Sequence, residues 1–474
     1  MKSMRKEPEP FLGEAQLSDS SVAAARASYT ERPGGEESVS AALERATRAL
    51  GWSDDERGQF ASIIPKGARV LIKPNFVLHE NEGPWGMEPL VTHPSVIRAV
   101  VEAALRAGPS EVIVGDAPVQ GCDFDELLRR TGLDVWASEL MEREPRFKGI
   151  RDFRRTTCVF VDGVRVASEN LVSEDQFVLF DLGSESLLEP ISDDRGSFRV
   201  TCYDPRLMAK THTSGRHQYL VARDVIEADV VINLPKLKTH KKAGVTCALK
   251  NLIGINGNKE YLPHHRVGGS ESGGDCYPGG SLVKRALEYT LDRQNQTSSF
   301  AVGRLWSTAS TQLHRVSHLM GDRIDVEGSW SGNDTIWRTC LDLNRILLYG
   351  RADRTLAQSP QRRVIHVVDS VVAGQGDGPL RPQPLPLGLL LVGGNAAAID
   401  WIGAELLGYN AGLISVAREA FGRFPHPLTS FAPSDISMVG DLGSGGVMEV
   451  LKHASAPAPI VYPIGWRDAV RSGA

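Results

Sequence analysis

The chain has few cysteines for its length, and none are arranged to hold a metal. Cys122, Cys158, Cys202, Cys247, Cys276 and Cys340 are scattered over 474 residues with no C-x-x-C. That spacing excludes a zinc ribbon, and no iron–sulfur cluster is expected. So few thiols in so long a chain also exclude a disulfide framework. No run of about 18 apolar residues occurs, so no membrane-spanning helix is predicted. The opening MKSMRKEPEPFLGEAQLSDSS has no apolar core and no twin arginine. The expectation is a cytoplasmic protein with reduced thiols. Neither charge dominates: 53 basic residues face 58 acidic ones, for a net charge of -5. Without a basic stripe, neither nucleic acid nor a membrane is an expected partner. G-x-S-x-G, H-E-x-x-H and GK[ST] are also missing, which removes the common hydrolase, zincin and Walker-loop readings.

What is present is a repeated apolar run that ends abruptly in polar residues. GARVLIKP at Gly67–Pro74, EVIVG at Glu111–Gly115, VVINL at Val230–Leu234 and RVIHVV at Arg363–Val368 read as strands. Between them, helical spacing appears at 38–50, 94–107 and 124–131, and later at 336–349 and 396–407. Strands alternating with helices predict an α/β fold, a parallel or mixed open sheet flanked by helices. Residues 21–139, 226–261 and 336–453 form the expected core, with Ser21–Tyr29 as a short edge strand. A β-rich insertion is expected at 140–225, with a hairpin turn at Asp162-Gly163. A loop-rich insertion is expected at 262–335. Residues 1–20 read as a disordered lead-in and 454–474 as a loose tail.

The richest segment is ADVVINLPKLKTHKKAGVTCALKNLIGINGNK, from Ala228 to Lys259. Lys236, Lys238, His240, Lys241, Lys242 and Lys250 cluster in a chain that is acidic overall. Such crowding is costly unless an anion lies among them. Lys236, Lys238 and His240 share parity on an extended segment and so face one side. Strand ends of an open parallel sheet face one crevice, which would gather Lys73 and Asn75 of KPNF, Asp116 of GDAP, Lys236 and Asp369. His93 of THPS precedes a helix whose N-terminus suits anions. YLPHHR supplies His264 and His265, adjacent residues whose side chains should diverge. Asn333 or Asp334 of GNDTIW reads as a helix cap. VVDSVVAGQGDGPL reads as a flexible loop whose Gly376 and Gly378 donate backbone N–H groups beside Asp369 and Asp377.

The ordered series VLIKPN, THP, GD, VINLPKLKTH…LKNLIGINGNK, LPHHR, GNDTIWR, VVD…GxGxGP and NAAAID resembles the DUF362 family over roughly residues 66–408. The family is named for its unknown function. Some of its members carry [4Fe–4S] modules, whose cysteine motifs this chain lacks. The KTH…LKN region is also remotely similar to the N-terminal domain of lactate racemase-type proteins, which use histidines and a lysine around a nickel-pincer cofactor. That analogy points to chemistry at a carbon bearing a hydroxyl or carboxylate.

The functional expectation is an enzyme acting on a carboxylate- or phosphate-bearing small molecule, by proton transfer, epimerisation or cofactor-assisted redox chemistry. Lys73, Asn75, His93, Lys236, Lys238, Asn251, Gly376 and Gly378 would bind the anion. His240, Lys250 and His264 or His265 would carry the chemistry, with His240 first for proton transfer. Asp116, Asp369 and Asp377 would orient a histidine or hold a divalent metal. A non-catalytic binding protein for a cofactor or anionic metabolite is the alternative.

Overall fold

The computed structural model describes residues 15–30, 37–161, 164–452 and 459–471. The Asp162-Gly163 turn, residues 1–14 of the lead-in, and 453–458 and 472–474 of the tail lie outside the described residues.

Apolar, β-branched runs form the strands of one mixed sheet. In chain order these are β1 (Ser21–Arg26), β2 (Arg69–Pro74), β3 (Glu111–Asp116), β4 (Phe147–Asp152), β5 (Val230–Leu234), β6 (Lys236–His240), β7 (Gly244–Thr246), β8 (Arg363–Asp377), β9 (Arg381–Gly393), β10 (Ser437–Gly440) and β11 (Gly445–Gly446). Their lateral order is β11-β10-β1-β9-β8-β5-β2-β3-β4, with β6 and β7 branching from β8. From β8 to β4 all neighbours run parallel. β9 is antiparallel to both β8 and β1.

Alternation explains the layers. Val70, Ile72, Val230 and Ile232 enter one apolar core with helices α1 (Val39–Ala49) and α2 (Pro94–Arg106). Leu71 and Val231 point the other way. There they meet α4 (Ile336–Tyr349), which also packs beside α5 (Ala396–Leu406) and the one-turn α3 (Ala248–Asn251). A sheet covered on both faces needs continuous apolar strands, which is the pattern seen.

Several expectations need correction. β1 is interior, paired with β9 on one side and β10 on the other. The insertion begins after residue 152 rather than at 140, because β4 belongs to the main sheet. FRVTCYD, which reads as a strand of the 140–225 insertion, contributes only the two-residue strand Phe198–Arg199. Within 262–335, by contrast, the helical readings at Ser281–Leu291 and on to about Met320 are met by the helices Leu282–Gln296 and Phe300–Leu319. The G-x-G-x-G stretch is not a flexible loop but the end of β8, paired with β9 through Asp377 and Arg381.

Residues 15–20 and 459–471 are docked. Gln16 accepts a hydrogen bond from the Val364 amide at 2.9 Å. Trp466 is fully buried, and its indole N–H donates to the Lys241 carbonyl at 2.6 Å. Gly244, at φ +78°, leaves the space for it, since a Cβ there would lie 2.7 Å from the Trp466 ring. Trp466→Ala is expected to lower unfolding free energy by about 3–5 kcal/mol in a denaturant titration.

Candidate functional site

At the carboxyl edge of the sheet, β5 ends at Leu234. Pro235 has no N–H to extend the ladder, and its carbonyl accepts the Asp369 amide at 2.9 Å. The chain resumes as β6 along the protruding part of β8, pairing Lys236 with Asp369 and Lys238 with Gly374. Lys236, Lys238 and His240 do share parity, but all three are buried.

Two buried lysines at this edge, Lys73 and Lys236, are neutralised. Lys73 Nζ lies 2.7 Å from Asp116 and also donates to Asn251 Oδ1 at 3.2 Å. Burial lowers the Lys73 pKa and pushes Asp116 up to about 6 against the pull of the ammonium. Lys236 Nζ lies 2.5 Å from Asp369, whose carboxylate also accepts the Tyr29 hydroxyl at 2.6 Å and the His93 amide at 2.8 Å. Burial lowers Lys236 as well.

Lys238 has no carboxylate. Its Nζ donates to Asn75 Oδ1 at 2.9 Å and the Leu90 carbonyl at 2.5 Å. Burial, then the charges of Lys236 and Lys250, hold its pKa well below the usual value. A neutral amine has two N–H groups, and two acceptors satisfy it.

These contacts bind strand ends together rather than leave groups for a ligand. Asn75, Asn251, Lys73, Lys236 and Lys238 are all hydrogen-bonded within the protein. Gly376 and Gly378 are also committed: their amides donate to the Val461 and Gly376 carbonyls at 2.8 and 2.9 Å. The glycines answer a packing demand, since a Cβ on Gly378 would sit 2.0 Å from the Thr239 carbonyl oxygen. Asp116 and Asp369 each face an ammonium, Asp377 is exposed in the β8–β9 hairpin, and the three do not converge. His93 caps α2 through its ring nitrogen. Its ring stacks on Tyr29 at 3.7 Å, facing a cleft of about 430 Å³ also lined by Arg98 and Arg130. Burial pushes His93 down to about 4.

A second group sits at the open end of β6. His240 is buried there, and its basicity is depressed by burial and then by Lys250, His264, Lys242 and Lys238. Lys250, Lys242, Lys259 and His264 are only partly buried. Among the described residues the Lys250 ammonium has no hydrogen-bonding or ionic partner, and burial followed by Lys242 and Lys73 lowers its pKa. Lys242 bonds the Thr201 hydroxyl and lies 3.6 Å from Glu327. Lys259 donates to the Thr201 carbonyl at 3.1 Å.

The two imidazoles have opposite tautomers, assigned by their partners. His240 Nδ1 accepts the Lys242 and Ala243 amides at 3.0 and 3.1 Å, which leaves the ring hydrogen on Nε2. His264 Nδ1 donates to the Leu262 carbonyl at 2.7 Å, which leaves a lone pair on Nε2. His240 therefore presents an N–H and His264 a lone pair on Nε2. His265 diverges from His264 as expected and is buried in a ribbon with Phe198–Arg199.

Sequence reasoning missed Lys259, Tyr29, Thr201 and Asp400. Asp400 accepts the Leu249 amide at 3.1 Å, fixing the turn that presents Lys250, and burial pushes it up to about 7. Its signal was an aspartate within the apolar run NAAAIDWIG.

A mixed α/β sheet with buried lysines along its carboxyl edge defines the class. The family model for "Domain of unknown function (DUF362)" matches residues 70–176 and 188–405, and the chain belongs to that family. A thylakoid-associated protein of Synechocystis sp. is 26% identical over 215 residues, 45% of this chain and 47% of that protein. The chain thus spans about half the length of this curated relative. A Thermotoga maritima protein of known structure aligns with 12% identity and a TM-score of 0.30, covering 75% of this chain and 55% of its own. The lactate racemase apoprotein from Thermoanaerobacterium thermosaccharolyticum aligns with 11% identity and a TM-score of 0.30, covering 83% and 58%. At that score neither superposition bears on fold or activity. Among the described residues no helix is long and apolar enough to cross a membrane.

Lys236→Met strands a buried carboxylate and is expected to cost about 3–5 kcal/mol in denaturant unfolding, as is Lys73→Met. Lys238→Met leaves no charge behind and is expected to cost far less. Buried His366 and half-buried His93 should withdraw stability on acidification. His366, whose Nδ1 accepts from Asn233 at 3.1 Å, is pushed by burial from 6.5 down to about 3. The unfolded chain therefore binds its proton first. The contribution is complete above pH 6.5 and is lost as pH falls through the window toward 3, and His93 acts in the same direction. Asp116 and Asp400, raised by burial, act in the opposite direction, so the readout is a difference: between pH 7.5 and 4.5 the loss of melting temperature should be smaller in His366→Gln than in the wild type.

Proposed function

We propose that the chain is an enzyme that removes a proton from carbon in an anionic small molecule bearing a carboxylate or phosphate. The observation that carries this reading is the pair of neutral imidazoles of opposite tautomer beside the unpartnered Lys250 ammonium. His264 Nε2 takes the proton as the C–H bond breaks. The electron pair moves to the substrate oxygen, where His240 Nε2–H and Lys250 stabilise the developing negative charge. Lys242 and Lys259 hold the distal anionic group.

The electrostatics suit this order of events. Burial and neighbouring cations keep both imidazoles unprotonated in the empty site. An anion entering among those cations raises the basicity of His264, so the base strengthens when substrate is in place. Reprotonation of the same carbon gives isotope exchange, or epimerisation where the proton returns to the opposite face.

The test is incubation in D2O with a panel of 2-hydroxy, 2-oxo and phosphorylated carboxylates, read by NMR. Deuterium incorporation at the carbon alpha to the carbonyl group is the expected result, C2 in a 2-hydroxy acid and C3 in a 2-oxo acid. Lys250→Met should slow it by about 10²–10³-fold. His264→Gln should abolish exchange while retaining ligand affinity. Anion binding without exchange by the wild type across the panel would overturn the enzyme reading and leave a binding protein. Exchange unchanged in both variants would remove the site assignment.

A further inference from the structure

The helical insertion carries a cluster that the Lys/His site does not use. His314 and His318 lie one turn apart on the helix Phe300–Leu319, so both imidazoles project from one face. Gly321, at φ +86°, lets the chain reverse after the helix. Lys284 pins the returning loop through Asp322 at 2.6 Å. That loop brings Asp325 Oδ1 to 3.2 Å from His314 Nε2 and 4.0 Å from His318 Nε2. The three ligand atoms lie within 4.8 Å of one another, and no other group of three His, Cys, Asp or Glu side chains converges this way among the described residues.

We propose that His314, His318 and Asp325 form a binding site for a divalent d-block cation, with zinc as the best chemical match. Two imidazoles and one carboxylate are a donor set that zinc accepts with one position left for water. Bonds of about 2.0–2.2 Å to a tetrahedral ion separate ligand atoms by about 3.3–3.6 Å. The His314–Asp325 separation already matches, and His318 is exposed and closes its gap by a small rotation. The second Asp325 oxygen accepts Lys241 Nζ at 2.8 Å. That contact turns the first oxygen toward the imidazoles, the usual task of an outer partner at a metal site.

Lys241 is itself fixed. Its amide donates to the Gly378 carbonyl at 3.1 Å and its carbonyl accepts the Trp466 indole. An ion at this site therefore clips the helical insertion to the backbone that carries His240, without taking a ligand from the Lys/His site.

The experiment uses untagged full-length protein, freed of metal with a chelator and titrated with Co²⁺ and then Zn²⁺. Cobalt absorption, calorimetry and melting temperature are the readouts. The expected result is one ion per chain, a tetrahedral cobalt spectrum bleached by zinc, and a melting temperature raised by metal. In His314→Ala/His318→Ala the affinity should fall at least about 100-fold. Both imidazoles are on the surface, so the metal-free variant should melt where the metal-free wild type does. A cobalt spectrum that persists in the double variant would overturn the assignment. So would a wild type that binds zinc no more tightly than the variant does.

Discussion

Buried ammonium groups govern the architecture of this sheet edge. An unpaired charge in a protein interior costs several kcal/mol, so each buried lysine must find a carboxylate or give up its proton. Lys73 and Lys236 take the first course, and Lys238 is held toward the second. The partners come from far along the chain. Lys73 with Asp116 and Asn251 joins β2, β3 and α3, while Lys236 with Asp369, Tyr29 and His93 joins β6, β8, the N-terminal segment and α2. Even Gly254 follows from this, because a Cβ there would lie 2.0 Å from Asp116 Oδ1.

The fold was legible wherever local pattern and tertiary role agree. Strands buried on both faces read as continuous apolar runs, and α2 announced itself with proline in its first turn. Misreadings fell where one residue type answers two demands. Glycines 374, 376 and 378 suggest a loop by composition, yet Gly374 and Gly378 allow the end of β8 to lie close to β6 and Gly376 supplies a φ of +76°. The docking of 459–471 rests on one buried tryptophan and on backbone hydrogen bonds to distant segments, so no periodicity signals it.

The site was legible as a list of cations and not as a division of labour. Parity placed Lys236, Lys238 and His240 on one side, but could not say which charges were already cancelled. Neutralisation depends on partners contributed by other strands, and a histidine's tautomer depends on single backbone contacts. The Leu262 carbonyl and the Lys242 and Ala243 amides decide which ring nitrogen of each imidazole is free. Such contacts leave no trace in residue spacing.

The indole of Trp466 props up the Lys241 carbonyl from 225 positions further along the chain. During synthesis the ribosome delivers the His240 turn long before that support emerges. The turn therefore lacks its brace until the tryptophan has left the exit tunnel. Order of assembly is thus written into the fold: Lys236 waits for Asp369, and the His240 turn waits longer still for Trp466.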